Sequence, residues 1–311
     1  MTNIINQTYK VTKYLPLKIK IYRFISNLII KILFPYKKSL FRNSFLQFLN
    51  SYIEIIINNK TLKFKDGNER LYLHLSTHYI IEKDLINWID TFSEKDVFFD
   101  IGSNVGLFSI YAAKKNINTV CFEGHFGNLD DFNYNVLLNN VSKKILIIPT
   151  LLGTENNKTN FYLRDLTSSS AKSEIDHKKN IYGNDITESL KISCISLNLD
   201  YLIDQKIVPI PTKVKIDVDG AEFLIIKGFK KYLGKVDEIM IEMYENSADY
   251  WKCYRENKKN KSINTNFIKK SYFEKTNNKN PYYDEIKEIL MKNNFIEKQT
   301  YGNNVIFKRK I

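Results

Sequence analysis

The stretch 96-DVFFDIGSNVGLFSIYAA-113 decides how the rest of the chain is interpreted. It opens with an apolar run that ends on an acid, crosses two glycines separated by three residues, and continues with an apolar pattern typical of a helix. A strand, a tight turn and a helix start in this order often hold a nucleotide-like ligand. Gly102 can adopt the backbone angles of a sharp turn, and Gly106 has no Cβ to keep a ligand away.

This stretch is the first unit of a repeating strand and helix pattern. Apolar strands that alternate with amphipathic helices predict an α/β fold, with a mostly parallel sheet covered by helices on both faces. The predicted strands lie near 96–101, 117–123, 144–149, 213–218, 236–243, 295–300 and 303–309. The predicted helices lie near 104–115, 126–139, 221–233 and 284–293.

Acids collect where these strands end, which is where ligands of parallel α/β sheets bind. The first strand ends at Asp100, the second at Glu123 and the fourth at Asp217. An acid in the position of Glu123 is placed to accept hydrogen bonds from a ribose diol. A dinucleotide would need G-x-G-x-x-G, so that its pyrophosphate could rest on backbone amides. The acidic loop at Asp100 instead favours S-adenosylmethionine, which is cationic and carries no phosphate.

Several segments resemble, in order and spacing, the FkbM family of S-adenosylmethionine-dependent methyltransferases. They are FFDIGSNVGLFSIYAA (98–113), VCFEGHFGN (120–128), LNLDYLI (197–203), VKIDVDGAEFLIIKGF (214–229) and EIMIEMYEN (238–246). The resemblance spans roughly residues 95–245 and implies a Rossmann-like class I methyltransferase fold with a seven-stranded sheet. The sequence departs from the family pattern at Gly124-His125, where members usually have Pro, and at Asp219, where Glu is usual.

The resemblance also implies roles for individual residues. Asn104 has a helix N-cap as its alternative role, and His125 has capping or packing. We expect Glu123 to hold the ribose and His125 to touch the adenine or the acceptor. The expected cofactor-binding residues are Asp100, Gly102, Ser103, Asn104, Gly106, Glu123 and His125.

For the chemistry we expect an acid that removes the proton of the acceptor hydroxyl. Asp217 ends the fourth strand and is the first candidate, with Asp219 and Glu222 beside it. Glu222 has an alternative role as an acid in the first turn of the following helix. Glu242 and Tyr244, at the end of the fifth strand, are expected to line the acceptor cleft. No His joins these acids, so we expect no metal.

The formal net charge of +13 is concentrated in two segments. Residues 1–53 hold nine Lys or Arg and no acid, and residues 252–279 hold nine basic residues against two acids. We expect an N-terminal appendage over 1–94 and a methyltransferase domain over 95–311, with an insertion at about 246–282. The aromatic and basic insertion either covers the acceptor site or is a solvated loop.

Residues 18–34 have the apolar spacing of an amphipathic helix with a basic opposite side. The apolar run between Arg23 and Lys31 is too short to span a membrane. Such a helix either lies on an anionic membrane surface or packs as a cap on its own protein. The widely spaced cysteines favour a cytoplasmic protein, and the first of these two roles for the helix would make it peripheral on the inner face of the membrane.

The leading hypothesis is an O-methyltransferase that acts on a hydroxyl of a sugar, glycan or related small molecule. One alternative is an RNA methyltransferase, because basic loops with aromatic residues suit nucleic acid. The other is an inactive membrane-associated binding protein with a methyltransferase fold. Retention of Asp100, Glu123 and Asp217 together argues against the inactive protein.

Overall fold

A computed structural model of the chain describes most of the region that the sequence assigns to the methyltransferase. The described residues are 52–66, 82–163, 174–175, 190–218, 220–243, 282–301 and 304–310, with positions 71 and 75 and seven helical positions between 21 and 32. Two compact units divide the chain: Met1–Ser51 with Glu256–Lys275, and Tyr52–Arg255 with Thr276–Ile311. Asp219, Tyr244 and the predicted insertion up to 281 lie outside the described residues.

The second unit contains the predicted alternation of strands and helices around residues 97–148 and 213–242, with further strands between these two parts. The strands are β1 Tyr52–Ile57, β2 Lys60–Lys65, β3 Val97–Ile101, β4 Asn118–Phe122, β5 Ile145–Ile148, β6 Leu151–Leu152, β7 Asn157–Leu163, β8 Glu174–Ile175, β9 Leu190–Leu197, β10 Lys213–Ile216, β11 Glu238–Glu242, β12 Phe295–Tyr301 and β13 Asn304–Arg309. The α-helices are α1 Lys83–Asp90, α2 Leu107–Lys114, α3 Phe126–Leu138, α4 Leu199–Asp204, α5 Glu222–Gly228 and α6 Tyr283–Lys292.

The main sheet has seven strands in the order β12-β13-β11-β10-β3-β4-β5. Strand β10 is parallel to both β3 and β11, and β3, β4 and β5 are parallel to one another. Only β13 runs antiparallel to its neighbours β11 and β12. The predicted seven-stranded, mostly parallel sheet is therefore confirmed. The chain proceeds from β3 outward to β4 and β5, then returns to β10, so the strand order reverses between β3 and β10. This switch point is where such sheets bind ligands.

Apolar side chains cover both faces of this sheet. Successive residues of β3 point to opposite sides, so Phe98 belongs to one core cluster and Phe99 to the other. Phe98 packs with Trp88 and Tyr111 in the first cluster, and Phe99 packs with Phe122 in the second. Each fully buried ring contributes roughly 1.5–3 kcal/mol relative to an exposed one. This two-sided burial explains why the strands have continuous rather than alternating apolar residues.

The predicted boundary at residue 95 lies inside the compact unit, which begins at Tyr52. Leu62 and Phe64 of β2 are fully buried in the same cluster as Phe98. Two asparagines of α3 also bind the backbone of β2. Asn139 Oδ1 accepts from the N–H of Lys63 at 3.0 Å, and Asn135 Oδ1 accepts from the N–H of Lys65 at 2.7 Å. The β1–β2 hairpin is thus part of the core unit rather than of an appendage.

A second sheet, with the order β6-β9-β7-β8, lies in the chain between β5 and β10 and was not predicted. Its strand β9 alternates half-buried and exposed positions, and Ser196 near its end is buried. Leu151, Phe161 and Leu163 of this sheet form a small cluster with Ala221. Since Ala221 immediately precedes α5, the second sheet packs beside the loop that carries Asp217.

Candidate functional site

The glycine loop between β3 and α2 turns sharply under the end of β10. Gly102 and Gly106 have φ values of +78° and +88°, which glycine adopts without strain. A Cβ at Gly102 would lie 1.8 Å from the backbone carbonyl oxygen of Asp217, and one at Gly106 would lie 2.1 Å from the ring of Phe132. The turn predicted at Gly102 is confirmed. At Gly106, however, the space freed by the missing Cβ is filled by Phe132 of the protein, which corrects the expectation that it is kept for a ligand.

The backbone N–H groups of this loop are largely used by the protein itself. Gly102 and Ser103 both donate to the carbonyl of Phe122, at 3.0 and 3.2 Å. Asn104 donates to Glu123 Oε2 at 2.8 Å, and Gly106 donates to the carbonyl of Ser103 at 2.9 Å. A pyrophosphate site needs such amides to point at the ligand. Four amides of this loop are instead engaged with protein acceptors.

Asn104 is not the N-cap of α2. That position is held by Gly106, and Asn104 sits in the left-handed region at φ +52°. Asn104 Oδ1 is buried and accepts no hydrogen bond within the described part of the chain. A buried polar atom without a partner costs about 1–3 kcal/mol, so a donor brought by a ligand would stabilise this loop.

Glu123 ties the end of β4 to the glycine loop. Its carboxylate accepts from the N–H of Asn104 at 2.8 Å and from the N–H of His125 at 2.7 Å. Burial raises the pKa of Glu123 to about 7, against the lowering effect of these N–H donors. The carboxyl group therefore changes charge near neutral pH.

His125 caps helix α3. The side chain is 2% exposed, and its Nδ1 accepts from the N–H of Asn128 at 3.3 Å. This is the alternative role that the sequence allowed for a lone histidine. Beside it, a Cβ at Gly124 would lie 2.3 Å from Leu151 of the second sheet. The departure from the family's proline therefore occurs where this chain packs β6 against the loop.

A buried lysine lies between two acids at the switch point, and sequence reasoning missed it. Lys215 Nζ is 3.2 Å from Asp100 Oδ1 and 3.1 Å from Asp217 Oδ2. It also donates to the carbonyl of Gly102 at 3.3 Å. The side chains of Lys215 and Asp100 are 4% and 1% exposed, while that of Asp217 is 30% exposed. Lys215 thus links the interior of the sheet to the carboxylate that faces outward.

The charges in this cluster support one another. Burial lowers the pKa of Lys215, but the carboxylates of Asp100 and Asp217 outweigh it and hold the pKa above its ordinary value. Asp100 Oδ2 accepts from the hydroxyl of Ser109, whereas Asp100 Oδ1 has only the ion pair and no hydrogen bond within the described region. The cluster keeps a fixed positive charge beneath Asp217 and leaves one acceptor oxygen of Asp100 unmatched.

The loop after β10 is shaped by Glu222. This residue is 3% exposed, and its Oε1 accepts from the N–H groups of Val218 and Gly220 at 3.1 and 3.2 Å. It belongs to the first turn of α5, which is the alternative role that the sequence allowed. Glu222 therefore positions the loop of Asp217, and its direct action on the acceptor stays a prediction.

Three predicted site residues remain, and the structure describes one of them. Glu242 ends β11, two strands from β3, and is half-buried. Asp219 and Tyr244 lie outside the described residues. Among the residues that are described, no group of three or more His, Cys, Asp or Glu side chains is arranged to hold a metal ion.

The strand order, the glycine loop and the acids at the switch point define a Rossmann-like class I methyltransferase. Comparison with known families leads to the same class. The FkbM methyltransferase domain matches residues 100–301, and the chain belongs to this family. The match begins at Asp100 and includes Glu123 and Asp217.

One curated relative is the hexuronic acid methyltransferase AglP of Haloferax volcanii, which is 28% identical over 164 residues. The alignment covers 52% of this chain and 62% of that protein. Among solved structures, the methyltransferase FkbM from Methylobacillus flagellatus is 12% identical with a TM-score of 0.38, over 70% of this chain and 44% of that one. The ribosomal protein L11 methylase from Lactobacillus delbrueckii is 11% identical with a TM-score of 0.38, over 79% of this chain and 81% of that one.

Proposed function

We propose that this protein transfers a methyl group from S-adenosylmethionine to a hydroxyl oxygen of a sugar. The balance of hydrogen-bond donors and acceptors at the switch point carries the proposal. The loop amides of Gly102, Ser103, Asn104 and Gly106 are bound to protein acceptors. The buried side-chain oxygens without a hydrogen bond in the described region, on Asp100 and Asn104, are both acceptors. Spare acceptors beside acidic side chains suit the ammonium and sulfonium groups of this cofactor better than they suit a pyrophosphate.

The residues of the loop and of the two neighbouring strand ends would hold the cofactor. Asp100 and Asn104 would accept from its donors, and Glu123 would accept from the ribose hydroxyls. His125, whose ring caps α3, would also contact the adenine. Gly102, Ser103 and Gly106 would shape the loop without offering their own amides.

Asp217 would act on the acceptor. S-adenosylmethionine supplies the reactive methyl group when it is bound, and positioning of the two reactants accounts for up to roughly 7–11 kcal/mol of the barrier. Asp217 is the partly exposed member of the buried cluster, so its carboxylate is accessible from the solvent side. It would take the hydroxyl proton, which contributes about a hundredfold to ten-thousandfold. Lys215 would keep this carboxylate ionised and in place.

The acceptor class rests on the named relative and on the charge distribution. The relative's name gives a hexuronic acid as its acceptor, so acidic sugars are the first compounds to test. Glu242 and Tyr244, which follow one another closely at the end of β11, would belong to the acceptor side of the site. Asp219 would lie in the same loop as Asp217. The nine basic residues over 252–279 suit an anionic sugar carrier.

The test is transfer of labelled methyl from S-adenosylmethionine to UDP-glucuronic acid, UDP-glucose and bulk RNA. We expect label in a sugar product that is stable to alkali, because an ether forms at a hydroxyl. Asp217→Asn should lower turnover at least about a hundredfold and change cofactor affinity by less than about threefold. The matched control is Asp204→Asn on α4, an exposed acid that pairs with Lys231.

Each contrary outcome has a distinct meaning. Alkali-labile label on the hexuronic acid would identify a methyl ester and contradict transfer to a hydroxyl, since a carboxylate acceptor needs no base. Label in RNA would replace the sugar by nucleic acid. Full turnover of Asp217→Asn would remove that residue as the proton acceptor. Cofactor affinity below detection by calorimetry would favour the inactive binding protein.

A further inference from the structure

The N-terminal unit presents an apolar helix face to solvent. The described helical positions between 21 and 32 include six large apolar side chains, and each is between 45% and 69% exposed. At about 100° per residue, the six lie within an arc of roughly 140° on one side of the helix. They are Ile21, Phe24, Ile25, Leu28, Ile29 and Ile32.

Soluble proteins seldom leave so much contiguous apolar surface exposed, and such patches mark interaction sites. The charges around this face indicate its partner. Residues 1–53 carry nine Lys or Arg and no acid, in a chain whose remaining segments hold all 34 acids. Lys31 is exposed and lies near the edge of the apolar arc. In the sequence, Lys20 and Arg23 interrupt the apolar spacing of the same segment.

We propose that this face docks on an anionic lipid surface, independently of the function proposed above. The apolar side chains enter the boundary between headgroups and acyl chains, and the basic side chains remain among the anionic headgroups. Each Lys or Arg near such a surface strengthens attachment and makes it sensitive to salt. Among the described residues, no helix is both long and apolar enough to cross a bilayer. The apolar run between Arg23 and Lys31 is too short to span a bilayer, so the proposal places this helix along the surface.

The experiment measures co-sedimentation of the full chain with vesicles of phosphatidylcholine alone and of phosphatidylcholine with phosphatidylglycerol. We expect binding only to the anionic vesicles, decreasing as salt is added. The combined variant Phe24→Ser, Leu28→Ser, Ile32→Ser should lower the partition coefficient about tenfold or more. Its matched control is Ile56→Ser, Leu137→Ser, Ile195→Ser, which removes apolar side chains of similar exposure, 64% to 68%, from the other unit. The control should bind as the wild type does.

A second pair of variants tests the charges. The first variant, which combines Lys20→Gln, Arg23→Gln and Lys31→Gln, should lower binding to anionic vesicles several-fold. Its matched control combines Lys143→Gln, Lys227→Gln and Lys230→Gln. The control removes the same charge from exposed positions elsewhere and should leave binding unchanged. Equal binding to both vesicle types, or full binding by the serine variant of the helix, would overturn the proposal. So would a wild-type dimer that the serine variant converts to a monomer, if neither binds vesicles, because the face would then contact a second copy.

Discussion

Strand β10 carries two lysines, two positions apart, and the two surroundings differ in one instructive respect. Lys213, at the amino end, lies 3.5 Å from Glu238, whereas Lys215, near the carboxyl end, lies between Asp100 and Asp217. Residues two apart on a strand point to the same face, and both ammonium groups lie over phenylalanine rings, at 5.7 and 5.9 Å. The local scaffold is thus similar, and the differences arise from the acids.

The acid at the amino end is fully provided with donors. Glu238 accepts from Trp88 Nε1 at 2.8 Å, and Lys298 and Lys308 stand 3.7 and 3.8 Å from it in addition to Lys213. Burial raises the pKa of Glu238, but the Trp88 hydrogen bond and the lysines outweigh it and lower the pKa overall. At the carboxyl end, Asp100 Oδ1 has no hydrogen bond among the described residues. Glu238 thus has an indole donor and three lysines around it, whereas Asp100 Oδ1 depends on the single ammonium group of Lys215, 3.2 Å away.

The strongest test of this comparison removes each lysine in turn. Lys215→Met leaves Asp100 buried without its cation, which costs about 3–5 kcal/mol of the free energy of unfolding. Lys213→Met should cost about 1 kcal/mol, because Glu238 keeps the Trp88 hydrogen bond and two other lysines. Urea denaturation of both variants measures the difference. Equal losses would mean that the two clusters are equivalent.

Lys215→Met is expected to be poorly folded, so Lys215→Arg is the second variant. Arginine keeps the charge but places a planar, longer group where Lys215 reaches three oxygens. We expect about a tenfold loss of turnover with most of the stability retained. Lys213→Arg should leave turnover unchanged. Unchanged turnover in Lys215→Arg would show that only the charge matters at this position.

The sheet and the location of the site could be predicted from the sequence because they depend on patterns within short windows. Apolar runs and helical spacing gave all seven strands of the main sheet, and the rule that ligands bind at strand ends selected Asp100, Glu123 and Asp217. For two residues, the structure shows the structural role that the sequence offered as the alternative to a role in binding or catalysis. Glu222 holds its own loop, and His125 caps α3.

Features that depend on distant partners were not predictable. Lys215 pairs with Asp100, which lies more than a hundred positions earlier in the sequence. A single lysine in an apolar strand does not reveal so distant a partner. The second sheet was missed because β9 has a single buried position and otherwise alternates half-buried with exposed residues, unlike the continuous apolar runs of the main sheet. The packing of β2 on α3 depends on Asn135 and Asn139, whose side chains bind backbone groups some 70 positions away and carry no local signal of this contact.

The charge of Glu123 should have a smaller effect, on cofactor affinity. Titration calorimetry at a series of pH values measures it. Burial raises its pKa to about 7, so the carboxylate that would accept from the ribose forms only near neutrality. We expect cofactor affinity to rise about tenfold between about pH 6 and about pH 8. In the absence of cofactor, the pH dependence of the free energy of unfolding has the opposite sign. The folded state holds the proton more tightly than the unfolded state, so stability falls as pH rises from the ordinary glutamate value toward about 7.

Glu123→Gln should abolish both pH dependences and weaken cofactor binding across the range. Glu155→Gln, at an exposed position on the loop before β7, should preserve them. A pH dependence that persists in Glu123→Gln would assign the titration to another group. Cofactor affinity that is unchanged in Glu123→Gln would leave Glu123 as a brace between β4 and the glycine loop.

The smallest predicted effect concerns the unmatched oxygen of Asn104. Asn104→Gly removes that oxygen and keeps the left-handed backbone, since glycine adopts φ +52° without strain. Asn140→Gly is the matched control, because Asn140 is also left-handed, at φ +55°, but is exposed at the end of α3. Both variants should keep the free energy of unfolding within about 1 kcal/mol. Only Asn104→Gly should lose cofactor affinity, by about threefold to tenfold, which corresponds to one hydrogen bond. Loss of stability without loss of affinity in Asn104→Gly would mean that this oxygen serves the fold, and the contrast with the saturated Glu238 cluster would then rest on Asp100 alone.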